Sequence, residues 1–465
     1  MHFKINSFNE VIKIYNDLIS KYSENKNVIY FYHGLGWAYY KINDLKNSIN
    51  SFLKFIEKYE QLKEISVRDS SLLEEALVLL GESYYTIKDL KNSEYYYSEY
   101  IKRFPAGKYV NDIKIRQSKI IAANKSPEEA LKLLLDEYAR TPVSPQRREL
   151  TFNICLTFFE LNNWSEYLKW SQLYIDNYKT ENIEHIKIIR YNQIISFYKL
   201  NKNEEAENLA IQFINDFPDF EKNDQLYFLI GIIKFNNKLY SESIKVLVKI
   251  ISEYTKSDKY EDALYLISLS CYNLKSYKQA IEYIEQINLL YPQSKFKKSL
   301  NFYKLSSYKE LQQWNEVLKF ADEIINNEED ELNKIIEIYY KAEALYNIGR
   351  YNETIEIANE GIKKYSEAEK EGRIKDNDII AALFYLLGET YQRLDKLAYS
   401  ILQYNRIINV YPFENYVDKA MLALANVNIK MGRVEIAKNL LEKFLIDFGS
   451  SELRSEAERL LETLK

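Results

Sequence analysis

One stretch of this sequence returns at a near-constant interval, and that recurrence limits the fold more than any single motif. Residues 74–105 read EEALVLLGESYYTIKDLKNSEYYYSEYIKRFP. Leu77, Leu80, Gly81 and Tyr84 recur at helical spacing in a first run, and Ser93, Tyr97 and Tyr100 do so in a second. A short polar turn around Lys88 and Asp89 separates the runs, and Pro105 closes the second. With Glu74 as position 1, equivalent units begin at residues 29, 74, 111, 148, 187, 224, 261, 298, 335, 381 and 418. Seven of the ten intervals are 37 residues, and the others are 45 (29 to 74), 39 (148 to 187) and 46 (335 to 381). A period of this size predicts a solenoid of helix–turn–helix units, none of which buries its apolar face alone.

Position 8 of the unit reads Gly36, Gly81, Ser118, Cys155, Ile194, Gly231, Ser268, Leu305, Ala342, Gly388 and Ala425. Position 20 reads Ser48, Ser93, Ala130, Tyr167, Ala206, Ser243, Ala280, Val317, Thr354, Ser400 and Ala437. Mostly small residues at both places predict a close crossing of the two helices, since no side chain holds the backbones apart. These columns, with Leu35-Gly36-x-x-Tyr39, Leu80-Gly81-x-x-Tyr84 and Leu387-Gly388-x-x-Tyr391, resemble the tetratricopeptide repeat. The closing proline stands at position 32 as Pro105, Pro142, Pro218, Pro292 and Pro412. The resemblance spans residues 29 to about 454 and implies an all-α fold: a right-handed superhelix of about eleven repeats. The family's usual period is about 34 residues. The longer period and endings such as Tyr291-Pro292-Gln293-Ser294 resemble bacterial envelope-assembly members, namely outer-membrane-protein assembly lipoproteins and the Tol–Pal coordinator.

Outside the array, residues 1–28 hold one amphipathic run with Phe8, Val11, Ile12, Tyr15, Leu18 and Ile19 on one face. That is the pattern of a second helix without its first, a half-repeat. Repeats are expected over 29–449 and a capping helix over 450–465, where Leu453, Ala457, Leu460, Leu461 and Leu464 share a face. Insertions near 60–71 and 366–378 break the period. Both are expected to lengthen the preceding second helix and continue as a polar loop, or else to form a lateral docking site. Ser126-Pro127-Glu128-Glu129 and Ser144-Pro145 carry helix-start signals.

The resemblance implies that positions 2, 5, 9, 12 and 13 face the concave surface. Positions 5 and 12 are rich in aromatic residues in most copies, a family habit. Position 9 is more selective: Glu82, Lys119, Glu343, Glu389 and Asn426 are polar or charged towards the ends, whereas Leu156, Ile195, Ile232 and Leu269 fill the middle. Together with Phe152, Phe159, Tyr191, Tyr198, Phe228, Phe235, Tyr265 and Tyr272, these residues of repeats four to seven form the expected protein-binding strip. Either the strip holds a segment of another protein, or the chain buries it against itself or a second copy. No copy has lysine at position 5, so the carboxylate clamp that the resemblance would supply for chaperone tails is incomplete.

Chemistry is otherwise sparse in the sequence. The three histidines, His2, His33 and His185, have no metal-ligand spacing, and Gly34-x-Gly36 lies within a helical pattern rather than a phosphate loop. Cys155 and Cys271 are expected as separate buried thiols. A net charge of −5 argues against nucleic acid as the main partner, and no run reaches membrane-spanning length. The expectation is a non-catalytic protein–protein scaffold with no cofactor and no metal. The alternative is a structural subunit of a bacterial envelope assembly, joined through its edges and insertions. As the sequence stands it carries no signal peptide and reads cytoplasmic, or periplasmic if a targeting segment precedes it.

Overall fold

A computed structural model describes residues 8–124, 126–142, 144–327, 334–373, 378–412 and 415–464; His2 and residues 374–377 of the second insertion lie outside them. Among the described residues there are twenty-four helices, α1 (Phe8–Lys21) to α24 (Arg454–Thr463), and no strand. They form two compact units, Met1–Phe220 and Glu221–Lys465. Within each unit every helix packs on its successor, and first helices of neighbouring repeats also touch, as α2 (Val28–Lys41) does α4 (Val67–Thr86). That adjacency is the mark of an α-solenoid.

The turn inside the repeat is the same almost throughout. Position 15 has positive φ in ten copies: Asn43, Lys88, Asn162, Asn201, Lys238, Lys275, Gln312, Gly349, Asp395 and Gly432. In the second repeat the Lys88 N–H donates to the Tyr85 carbonyl and the Asp89 N–H to that of Tyr84. This is a Schellman closure, which pairs carbonyls that the helix end would leave bare. The same two bonds recur around Asn43 and around Lys238. Four of the ten residues are Lys or Gln, which gain nothing from this backbone region.

The helix crossing is built from complementary sizes at positions 8 and 24. Where position 8 is glycine, position 24 is large: Phe52, Tyr97, Leu247 and Tyr404 lie over Gly36, Gly81, Gly231 and Gly388. A Cβ on Gly81 would stand 2.2 Å from Tyr97 Cε1. Where position 8 is larger, position 24 shrinks, as with Ile194 and Ala210 or Leu305 and Ala321, all fully buried. Close approach also permits a direct bond at position 20. Ser48, Ser93 and Ser243 donate to the carbonyls of Gly36, Gly81 and Gly231 at 2.8–2.9 Å.

Junctions between repeats are clasped by an acid at position 1. Ser294 Oγ donates to Glu261 (2.6 Å) and Ser451 Oγ to Asp418 (2.7 Å), while each serine accepts the N–H two residues on. Ser257 and Asp224 make the same pair. The two insertions differ. The second lengthens α19 (Tyr351–Lys370), as its sequence predicts. The first does the opposite: α3 (Leu45–Tyr59) stops on schedule and α4 begins early, at Val67. The reason is a capping box, in which Ser66 and Asp69 bond each other's backbone and Tyr30 Oη adds a bond to Asp69. Ser126 and Ser144 cap their helices as expected. At the ends, the Tyr15 ring of α1 covers Gly34, and α24 buries Ala457 against the last repeat.

Candidate functional site

The inner face is assembled by one contact rule between successive first helices: a side chain at position n meets position n−3 of the next repeat. Position 5 meets 2 where His33 pairs with Glu75 (3.3 Å) and Tyr265 bonds Ser299 (2.7 Å). Position 9 meets 6 where Arg116 pairs with Glu82 (2.5 Å) and Ser306 bonds Tyr340 (2.6 Å). Position 12 meets 9 where Lys309 pairs with Glu343 (2.8 Å). The polar position-9 residues of the outer repeats therefore have internal work. Glu82 and Glu389 also accept the hydroxyls of Tyr97 (2.9 Å) and Tyr404 (3.0 Å), the rings that cover Gly81 and Gly388. Burial raises both phenols well above the ordinary range, so they donate throughout the accessible pH range.

The twelve strip residues fall into two sets of six. In the first unit Phe152 is buried, stacked on His185 with centroids 3.6 Å apart. Phe159 meets Trp164 and Tyr167 edge-on, and Tyr191 packs on Phe213 and Phe220. Leu156, Ile195 and Tyr198 are half-buried. In the second unit Leu269 is buried, while Phe228 and Ile232 are half-buried. Tyr265 stacks on Phe296 at 3.9 Å, Phe235 meets Tyr240, and Tyr272 meets Tyr277 and Tyr303. None of the twelve is fully exposed. Positions 5 and 12 chiefly join helices; position 12 lies edge-on to position 17 across the turn, as in Phe159–Trp164, Phe235–Tyr240 and Tyr272–Tyr277.

Sequence models described as Tetratricopeptide repeat match residues 29–57, 75–106 and 261–294. These segments are tetratricopeptide repeats. They coincide with copies one, two and seven of the 37-residue unit. No curated protein matches the sequence. Among solved structures, the APC/C hetero-tetramer Cut9–Hcn1 aligns at 12% identity and a TM-score of 0.37, covering 98% of this chain and 90% of that one. The Pseudomonas aeruginosa pilF structure gives the same identity and TM-score over 52% of this chain and 97% of its own. At that TM-score neither likeness bears on what this chain does.

Two inner-face residues outside the expected strip are more exposed than any within it. Phe302, at position 5 of α16 (Lys297–Glu310), is 42% exposed, and Ile336, at position 2 of α18 (Ile335–Asn347), is 44% exposed. Their positions are those joined by Tyr265 and Ser299 one repeat earlier, and Phe302 meets Tyr340 of α18 edge-on with centroids 6.4 Å apart. Phe302 belongs to the aromatic column and was visible there; nothing in the sequence marks it as the exposed copy. In the first unit a hollow of about 340 Å³ is lined by Tyr85, Lys119, Asn153, Leu156 and Glu160, a mixed rather than apolar wall. His185 Nδ1 lies 3.0 Å from Tyr174 Oη, and burial lowers the imidazole pKa, favouring the neutral ring stacked on Phe152. Both cysteines are free and buried; burial pushes the Cys271 thiol up to about 11 and Cys155 higher. Neither has the thiolate character that reactivity requires. Among the described residues no group of three His, Cys, Asp or Glu side chains is placed to hold a metal, and no helix is long and apolar enough to cross a membrane.

Proposed function

We propose that the chain is a non-catalytic adaptor whose inner helix faces hold a segment of another protein. The observation that carries this reading is the Phe302–Ile336 pair, two large apolar side chains left in solvent on adjacent first helices. Exposed apolar surface of this kind accompanies partner sites, where aromatic anchors supply most of the binding energy. The proposed contacts are Phe152, Leu156, Phe159, Tyr191, Ile195 and Tyr198 in the first unit. In the second they are Phe228, Ile232, Phe235, Tyr265, Leu269 and Tyr272, extended by Phe302 and Ile336. The buried aromatic members set the shape of each face, and the half-buried position-9 side chains touch the partner. The net charge of −5 favours a protein over a nucleic acid. This role suits the cytoplasm.

The test is a cross-linked pull-down with mass spectrometry from native cells. It compares wild type with Ile195→Asp/Ile232→Asp and with Phe302→Asp/Ile336→Asp, each first shown to keep its helical content. The adaptor reading expects each folded variant to lose the same prominent protein; an unchanged set of partners overturns it. A second reading is a structural subunit of a bacterial envelope complex, acting in the periplasm. It draws support from the first insertion, where Ile65 and Val67 stand 57% and 89% exposed beside a rigid capping box. It expects partners to be lost on Ile65→Asp/Val67→Asp and kept in the inner-face variants.

A further inference from the structure

We propose that the junction between the fourth and fifth repeats is an acid-sensitive joint, which loosens when His185 takes up a proton. This device lies within the first unit and does not depend on what the inner face binds. At four junctions the residue two before a unit lies against the ring at position 5 of the unit before it. Lys259 lies over Phe228 (5.9 Å), Phe296 stacks on Tyr265 (3.9 Å) and Tyr416 packs on Tyr385 (5.6 Å). In the fourth repeat the pair is His185 on Phe152, with centroids 3.6 Å apart and planes 3° from parallel. Of the four covering residues, histidine is the one whose charge changes between about pH 5 and 8. His185 stands in the first turn of α10 (Ile183–Lys199), and Phe152 belongs to α8 (Pro145–Glu160). Tyr174 of α9 (Trp164–Tyr178) joins them, and Phe152, Tyr174, Ile186 and Ile189 share the core that holds the three helices together.

The surroundings favour the neutral ring. Tyr174 Oη lies 3.0 Å from His185 Nδ1, and burial raises this phenol above its ordinary range, so the hydroxyl donates and Nδ1 accepts. The ring proton is then on Nε2, which stands 3.9 Å from the Glu149 carboxylate, beyond hydrogen-bonding reach. A second proton would go to Nδ1 and displace the Tyr174 donor. The cations facing the ring are Arg148 of α8 and Lys119 of α6 (Val110–Asn124), and the acids nearby are Glu149 of α8 and Glu181 of the turn before α10. Arg148 already binds both acids, at 3.2 Å and 2.9 Å. On its own helix Glu184 pairs with Lys187 (2.8 Å), and His185 is the third residue, where the positive end of the helix dipole opposes a cation. Burial first, then Arg148 and Lys119, hold the imidazole pKa below its ordinary value against the pull of Glu149. A histidine so held gives stability that is complete above its unfolded value of about 6.5. That stability falls as pH drops towards the folded value, because the opened ring takes the proton more readily than the packed one.

The experiment is hydrogen exchange with mass spectrometry on the full chain between about pH 5 and 8, read as protection of the α8 and α10 amides, with NMR of the imidazole rings alongside. Wild-type protection should be level above about pH 6.5 and fall by up to about tenfold per pH unit below it. Protection in the second unit, which holds no histidine, should stay level. His185→Phe puts a phenylalanine where Phe296 stands three repeats later but strips Tyr174 of its acceptor, so His185→Phe/Tyr174→Phe is measured beside it. Both variants should lose the pH dependence, whatever their protection at neutral pH. In wild type the NMR titration should place the His185 midpoint below about 6.5, with the proton of the neutral ring on Nε2. A wild-type profile that stays level across the range overturns the proposal. So does a fall that persists in both variants, or a His185 midpoint at or above about 6.5.

Discussion

The size exchange between positions 8 and 24 makes a demanding prediction at Gly81. In Gly81→Leu even the first carbon would meet Tyr97, 2.2 Å from Cε1 and 2.4 Å from Cδ1. Tyr97 cannot yield cheaply, because its ring is fully buried and its hydroxyl is bound to Glu82 at 2.9 Å. Overpacking costs about 1–3 kcal/mol, and loss of a hydrogen bond to an ionised carboxylate about 1.5–3 kcal/mol. Their sum is about 2.5–6 kcal/mol for the single variant. Tyr97→Ala alone should cost about as much through the cavity it leaves. The double variant Gly81→Leu/Tyr97→Ala reproduces the arrangement that Leu305 and Ala321 already adopt in repeat eight. It should therefore be less damaging than either single change, losing the Glu82 bond but regaining packing. A solenoid need not unfold in one step. The appropriate readout is native-state hydrogen exchange of amides in α4 and α5 (Leu90–Arg103), supported by urea melts. Additive costs for the two substitutions would refute the idea that the columns compensate each other.

Two further predictions concern the turn and the first insertion. Lys238 holds a φ of 61° in the left-handed region. Lys238→Gly should relieve about 1–2 kcal/mol of strain and return part of it to the unfolded chain, for a net gain of about 0.5–1 kcal/mol in urea. Lys238→Val should be destabilising, and the reverse order would exclude this conformation. Asp69 is held below the usual carboxylate range by the Ser66 hydroxyl first, then by the Ser66 N–H and the Tyr30 hydroxyl. A depressed acid contributes stability that is complete above its unfolded value of about 4 and lost as pH falls through its lower folded value. Protection of the α4 amides should drop below about pH 4 in wild type and vary less with pH in Asp69→Asn, which is weaker at neutral pH; parallel profiles would remove Asp69 from the account.

How legible the fold was in the sequence depended on whether a feature recurs. The period, the small residues at positions 8 and 20 and the helix starts at Ser126 and Ser144 all repeat or follow local chemistry, and each has its counterpart in the structure. The turn at position 15 was hidden because backbone conformation there is imposed by the closing hydrogen bonds, whatever side chain sits on it. Lys88 and Lys275 adopt it as Gly349 does. Position 24 was missed for a different reason: it is informative only beside position 8, and neither column is uniform alone. At the first insertion the period says only that residues are added, not which helix takes them. Ser66 and Asp69 decide which neighbouring helix takes them.

The candidate site is harder to read for a reason built into the solenoid. Positions 5, 9 and 12, which the resemblance would turn inward, are the positions by which one repeat grips the next, as Tyr265 grips Ser299 and Lys309 grips Glu343. An aromatic column is what that joint needs with or without a partner, so its presence cannot separate the two roles. Departures from the column can. Phe302 keeps the family residue and still meets Tyr340 of the next repeat edge-on, yet it is 42% exposed, and Ile336 on that next first helix is 44% exposed. A solenoid interior constrains which residues must be apolar and places no such demand on solvent-facing ones. Apolar side chains that packing does not require are therefore the places where binding leaves its trace.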